Sequence, residues 1–359
     1  MATVPLNVDT LCAAAFAPIL GVFAFWFLQL VCIELQKRML SRLRHRHEAL
    51  CRFTNYIGIL FQTISQALGY EVTRSGVASF KVTVNNGMVE PKKEKTGVRE
   101  WVARSFLLFG PFFIPAGLVL LASYFVIGRG FVFPSPVDYT FIESLNGFGV
   151  SLSTFTNEFI GFLVTIDLFN PLHIGFLLVL LFLGLGIRPS YIGEARKEKI
   201  DILYDLIHIK DHLVERPIYL LGVILGIYLF YLASLFLNAV VYIGLFTLFG
   251  WMSLTAIIAI LLSFPVLLLI RATDDIQPAW KIVPFITIVV SYILIRVFFI
   301  FYPTKQVESV SLLVMMFSTI LITIMLIKYK KTNRFKTTPK MKHMRVADGK
   351  KRTSKKRAD

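Results

Sequence analysis

Between Pro217 and Ile270 the chain runs for 54 residues without one charged side chain. As a single helix at about 1.5 Å per residue it would be about 80 Å long, against a hydrocarbon core of about 30 Å. The core of a water-soluble domain does not hide a segment of that kind, so it belongs in a bilayer and must turn back, most simply between Asn238 and Gly250. Other uncharged stretches of span length are Thr10–Ile33, Ser105–Gly128, Leu168–Ile187 and Ser309–Ile327, and one between Lys281 and Lys305 is broken only by Arg296. The expectation is an all-α polytopic membrane protein with about seven transmembrane helices. Composition agrees: 56% of the 359 residues are hydrophobic and 17% charged, where a soluble domain has roughly 45–50% and about 25%.

Cytoplasmic loops carry an excess of Lys and Arg. Lys37, Arg38, Arg42, Arg44, Arg46 and Arg52 follow the first span, and seven more basic residues lie between positions 70 and 104. Both segments are cytoplasmic only if Phe53–Leu68, between them, is a short embedded helix that does not cross. The remaining loops then alternate, with the N-terminus outside and the C-terminus inside, in what reads as a prokaryotic cell membrane. The net charge of +16 has the same origin. From Lys328 to Asp359 there are 14 Lys/Arg and 2 Asp, a basic and disordered cytoplasmic tail suited to anionic headgroups. It lacks the interleaved aromatic residues that stack on single-stranded bases, so nucleic acid is not an expected partner; membrane lipid and a transmembrane protein are. Cys12, Cys32 and Cys51 form no disulfide framework.

The embedded segment has two faces. Phe53, Ile57, Leu60, Phe61, Ile64 and Leu68 form one; Thr54, Gly58, Gln62, Ser65, Gln66 and Gly69 form the other, a small and polar stripe of the kind through which embedded helices pack closely. Next comes SFKVTVNNGMV (Ser79–Val89), whose alternation and Asn86-Gly87 pair predict a β-hairpin over 77–90 with its turn at Asn86-Gly87.

This order of parts resembles the site-2 protease type of membrane-embedded zinc metalloprotease. FQTISQALGYEV (Phe61–Val72) is similar to that family's active-site helix, and FGPFFIPAG (Phe109–Gly117) to the Gly-Pro span that follows its hairpin. The resemblance covers residues 53–190 and ends at GLGIRPS (Gly184–Ser190). It sets Gln62 and Gln66 where the family has the two histidines of HExxH, and Thr63 where it has glutamate. Two imidazoles at i, i+4 bind zinc from one helical face, and the carboxylate takes a proton from the bound water. A Gln amide is a poor zinc ligand, and Thr is no base near neutral pH. The resemblance therefore implies a pseudoenzyme, a non-catalytic binding or regulatory scaffold with no cofactor. Zinc returns only if that reading fails, with the chain then a peptidase using non-standard ligands. Asp167 stands nearest to the family's third ligand but lacks its following Gly; His173, in the next span, is a weaker metal candidate. The organisation expected is a protease-like core over 1–190, an amphipathic cytoplasmic helix and four further spans over 191–327, and the tail over 328–359.

Three other features invite a function. His47, Glu48 and Cys51 have metal-like spacing but sit in a strongly basic segment that repels a cation, and read as an interfacial helix. His208 and His212 lie with Asp201, Asp205 and Asp211 on an amphipathic helix whose apolar face is Ile202, Leu203, Leu206, Ile209 and Leu213, and read as its solvated side. Arg296 is a basic residue inside a span, a costly placement, with no carboxylate partner within its span. That lack weakens a proton-relay or transporter reading; a transporter or channel stays as an alternative, beside a membrane anchor that holds ribosomes or another polyanion through the tail.

Overall fold

The computed structural model describes residues 8–84, 86–94, 96–127, 140–187, 202–237, 241–302, 304 and 306–355. It is an all-α polytopic membrane protein with one small hairpin. Helix α1 (Ala17–Leu43) is preceded by a π turn over Asp9–Ala13 and a 3-10 turn over Ala14–Phe16. Then follow α2 (Glu48–Val72), β1 (Val77–Val82), β2 (Gly87–Pro91), α3 (Val98–Ile127), α4 (Phe141–Val164), α5 (Pro171–Gly186), α6 (Ile202–Glu215), α7 (Pro217–Phe236), α8 (Val241–Thr273), α9 (Val283–Phe301) and α10 (Val307–Lys355). Six stretches among the described residues are long and apolar enough to cross a membrane: Asp9–Leu43, Val98–Ile127, Pro217–Phe236, Val241–Thr273, Pro278–Phe301 and Val307–Thr332. The basic segment read from composition as a disordered tail is helical as far as Lys355.

At Leu168–Ile187, where a single span is expected, the helix is shorter. Asn170 caps α5 by accepting from Leu172 N at 3.0 Å, and Pro171 opens it, so only 16 residues are helical. That is about 24 Å, short of the hydrocarbon core. Helix α4 precedes it, in a segment where the sequence offers no uncharged stretch of span length. At its start Phe141 N donates to Asp9 Oδ2 at 3.0 Å; near the end of α5, Gly184 O accepts from Gln36 Nε2 at 3.0 Å. Contacts at the start of α4 and near the end of α5 thus fall close to the two ends of the first span.

The chain divides into two compact units at Pro265, inside α8. The core of the first is aromatic. Trp26 meets Phe112 edge-on at 5.7 Å, and Trp251 stacks on Phe155 at 5.7 Å. Glycines set the helix spacings: a Cβ at Gly21 would lie 2.4 Å from the Phe148 ring, and one at Gly184 would lie 2.4 Å from the Ala259 carbonyl oxygen. Two fully buried amides bond backbone carbonyls of other helices. Gln29 Nε2 donates to Phe112 O of α3 at 3.1 Å. Gln36 reaches one of the four carbonyls that the C-terminus of α5 leaves unpaired, and also Ser263 Oγ at 2.8 Å.

In the second unit α9 and α10 form a helical hairpin. Lys330 Nζ donates to the carbonyls of Asp274 (3.5 Å) and Ile276 (3.2 Å), just past the end of α8.

Candidate functional site

On α2 Thr54, Gly58, Ser65 and Gly69 of the small, polar stripe are buried, as are Ile57 and Phe61 of the apolar face, while Phe53 and Leu68 are exposed. A Cβ at Gly110 of α3 would lie 2.5 Å from Ser65 Cβ, and one at Gly69 would lie 2.8 Å from the Ala103 carbonyl oxygen, so the two helices touch backbone to backbone. The hydroxyls on this helix turn back onto it: Thr63 Oγ1 donates to Ile59 O at 2.7 Å and Ser65 Oγ to Phe61 O at 2.6 Å. That satisfies them without breaking the contact.

The hairpin lies against α2, pairing Phe80 with Val89, Lys81 with Met88 and Val82 with Gly87. Gly87 is a strand residue, not the turn residue expected. Thr83 N donates to Asn86 O at 2.8 Å and Asn86 N to Thr83 Oγ1 at 3.0 Å. The need for glycine at position 87 is steric, since a Cβ there would lie 2.1 Å from Thr63 Oγ1. Thr63 is therefore buried under the hairpin with its hydroxyl occupied.

Gln62 and Gln66, of the same stripe, are half-buried. Gln66 Nε2 donates to Tyr70 Oη at 3.2 Å, and both side chains border a cleft of about 450 Å³ between the end of α2, the hairpin base and the start of α3. Ser75, Glu94, Glu100 and Arg104 add polar groups to its wall. Gly76 (φ +66°) and Gly97 (φ +73°) shape its two connecting loops in a conformation that only glycine adopts cheaply. A lining of amide, hydroxyl, carboxylate and guanidinium groups offers both donors and acceptors, as an extended peptide requires.

Asp167 and His173 are brought together, but not here. His173 Nδ1 accepts from Asp167 N at 3.0 Å, and Asp167 Oδ1 accepts from Phe169 N at 2.9 Å, so the pair staples the turn before α5. Helices α2 and α5 run side by side in the same sense: Phe53 meets Phe182 with ring centroids 5.6 Å apart, and Ile57 abuts Gly186. His173 and Gln62 then lie at opposite ends of that pair, about 27 Å apart at about 1.5 Å per residue. Among the described residues no three His, Cys, Asp or Glu side chains cluster as a metal site would need. At the basic segment, Glu48 pairs with Arg52 (2.6 Å) and Cys51 is buried against Leu40 O (3.5 Å).

Two sequence expectations change. Arg296 has a carboxylate partner: its Nη1 lies 3.0 Å from Glu308 Oε1, across the α9–α10 turn. His212 is buried rather than solvated. Its ring stacks on Trp101 at 5.1 Å with 17° between planes, and Trp101 Nε1 donates to His212 O at 3.3 Å. Ser105 Oγ lies 2.9 Å from Trp101 O, to which it donates, and 3.0 Å from His212 Nε2. The contact clasps α6 to α3. Burial holds the His212 pKa below the ordinary histidine value, Arg104 and Arg216 add to the depression, and Glu215 and the Trp101 backbone oppose it. Ion pairs Arg104–Glu215 (3.2 Å) and Arg216–Glu100 (3.3 Å) flank the clasp. Neither Trp101 nor Arg104 drew notice in the sequence, since their partners lie more than 100 residues away.

Comparison of the chain with protein families, curated proteins and solved structures finds no match.

Proposed function

We propose that this multi-pass membrane protein is a non-catalytic scaffold of the site-2 protease type, holding a segment of a transmembrane partner in the cleft beside Gln66. The supporting observation is the placement of Gln66 and Tyr70 on the wall of a polar cleft formed by the helix, the hairpin and the next span. A neutral amide there can bond a peptide backbone but supplies neither the charge nor the basicity that activates water on zinc. With Thr63 capped by the hairpin, the face lacks a general base. The cleft opens on the cytoplasmic side in the orientation that the basic loops favour, with the N-terminus outside and the C-terminus inside a prokaryotic cell membrane.

The test is elemental analysis of the purified full-length chain together with an assay for cleavage of membrane-segment peptides. The proposal expects less than a tenth of an equivalent of zinc and no cleavage. One zinc per chain, with hydrolysis lost on adding a chelator, would restore a peptidase with non-standard ligands and overturn the reading.

A further inference from the structure

Between α1, α3 and α7 lies a groove of about 630 Å³ whose exposed wall is entirely apolar. Phe16, Ile19 and Phe23 of the first span line one side. Leu220, Val223, Ile224 and Ile227 line the other, a single face of α7 at i, i+3, i+4, i+7 spacing. Both ends are polar. Toward the start of the first span, Tyr228 Oη donates to Leu11 O (2.9 Å) and Tyr242 Oη to Ala15 O (2.6 Å), tying α7 and α8 to the π and 3-10 turns. Toward the start of α3 the wall ends at Trp101, Ser105 and Leu213, beside the His212 clasp and its two guanidinium groups.

We propose that this groove binds a phospholipid, with one acyl chain between α1 and α7 and the phosphate at Arg104 and Arg216. The volume favours a chain over a protein segment: it falls in the ~300–1,000 Å³ range of small-molecule sites. A crossing helix about 10 Å wide and about 30 Å long fills more than three times as much. The charges favour a headgroup. A guanidinium has five N–H donors. Arg104 spends Nη1 on Glu215, while Arg216 spends Nη1 on Gly97 O and Nη2 on Glu100, which leaves donors on each for phosphate oxygens. Arg216 is also held in place over the Tyr219 ring, at 5.7 Å. Trp101, at the boundary between the apolar wall and the ion pairs, has the amphipathic character of interfacial aromatics. The apolar groove shares no lining residue with the Gln66 cleft, although Arg104, at the headgroup end, also borders that cleft; the lipid site does not require the cleft to bind peptide.

Native mass spectrometry of the lipid-stripped full-length protein tests it, with three added probes: a two-chain phosphatidylethanolamine, a diacylglycerol with the same chains, and a hydrophobic helical peptide. The wild type should hold one phospholipid, about tenfold tighter than the diacylglycerol. Ile224→Trp, which fills the groove, should cut retention at least about tenfold, and Leu221→Trp, on the exposed side of α7, should leave it unchanged. If Ile224→Trp loses its helical circular dichroism, Val223→Leu replaces it, with a smaller loss expected. Arg104→Gln with Arg216→Gln should erase the preference over diacylglycerol. Equal binding of diacylglycerol by the wild type, phospholipid retention untouched by groove filling, or displacement of lipid by the peptide would each overturn the proposal.

Discussion

The amide nitrogen of Gln36 lies 3.0 Å from the carbonyl oxygen of Gly184, joining the first span to the end of a helix 148 residues away. Gln36 is fully buried, and Ser263 Oγ shares the same nitrogen at 2.8 Å. Replacing Gln36 by Leu leaves the carbonyl without this donor inside the protein. Buried bonds between membrane helices average about 0.6 kcal/mol and reach about 1.7 kcal/mol, so a loss of about 1–2 kcal/mol is expected, measured as a shift in the unfolding midpoint in mixed detergent.

The contact of α2 with α3 rests on missing side chains. Gly110→Val pushes a methyl into Ser65 and should cost about 1–3 kcal/mol, the usual penalty for overpacking. It should also open the Gln66 cleft. Gly147→Ala, in α4, meets nothing within 4 Å; it should stabilise by up to about 1 kcal/mol through helix propensity alone. Thermal unfolding of the two variants side by side reads both signs.

His212 makes the α3–α6 contact sensitive to acid. Arg104 faces it from α3, Glu215 and Arg216 flank it in sequence, and His208, Asp211 and Glu215 share the adjoining pocket. Its folded pKa lies below the histidine reference of 6.5, so the unfolded chain binds the proton more readily. Stability is fully present above pH 6.5 and falls as the pH drops below it, toward the depressed folded value. Unfolding temperatures between pH 8 and 5.5 should decline for the wild type, and His212→Gln should flatten that part of the profile.

Arg296 and Glu308 should behave as one unit. Their side chains are 18% and 35% exposed, which limits the coupling to about 1 kcal/mol. A double-mutant cycle with Arg296→Gln and Glu308→Gln should return that coupling, and additive single effects would show that the pair is not coupled.

Much of this fold is legible in sequence because a bilayer demands long apolar blocks, and those blocks are visible one segment at a time. What escaped depends on one face or on distance. Helix α4 was missed because Glu143, Asn146, Asn157 and Glu158 interrupt its apolar run. Its buried side, Phe148, Leu152, Phe155 and Phe159, nevertheless repeats with helical spacing, and that periodicity was there to be read. The reach of Leu168–Ile187 was overstated because Asn170-Pro171, a cap followed by an N1 proline, marks the true start of α5. Glu308 was overlooked because a partner for Arg296 was sought within the span and not across the next turn. The role of His212 was out of reach, since it depends on Trp101. At the candidate site the residues of the stripe were visible, but the hairpin's cover over Thr63 and the cleft beside Gln66 needed coordinates.

A photoreactive benzoylphenylalanine in place of Thr96, on the wall of the cleft, tests the scaffold reading most directly in native membranes, with the same residue at Leu221 as the control. The account predicts one dominant adduct at Thr96, absent at Leu221. Its cross-linked peptide should map to a partner's membrane segment or the residues just beside it, and the adduct should weaken when Gln66→Trp fills the cleft. Labelling at Thr96 no stronger or more specific than at Leu221 would contradict it.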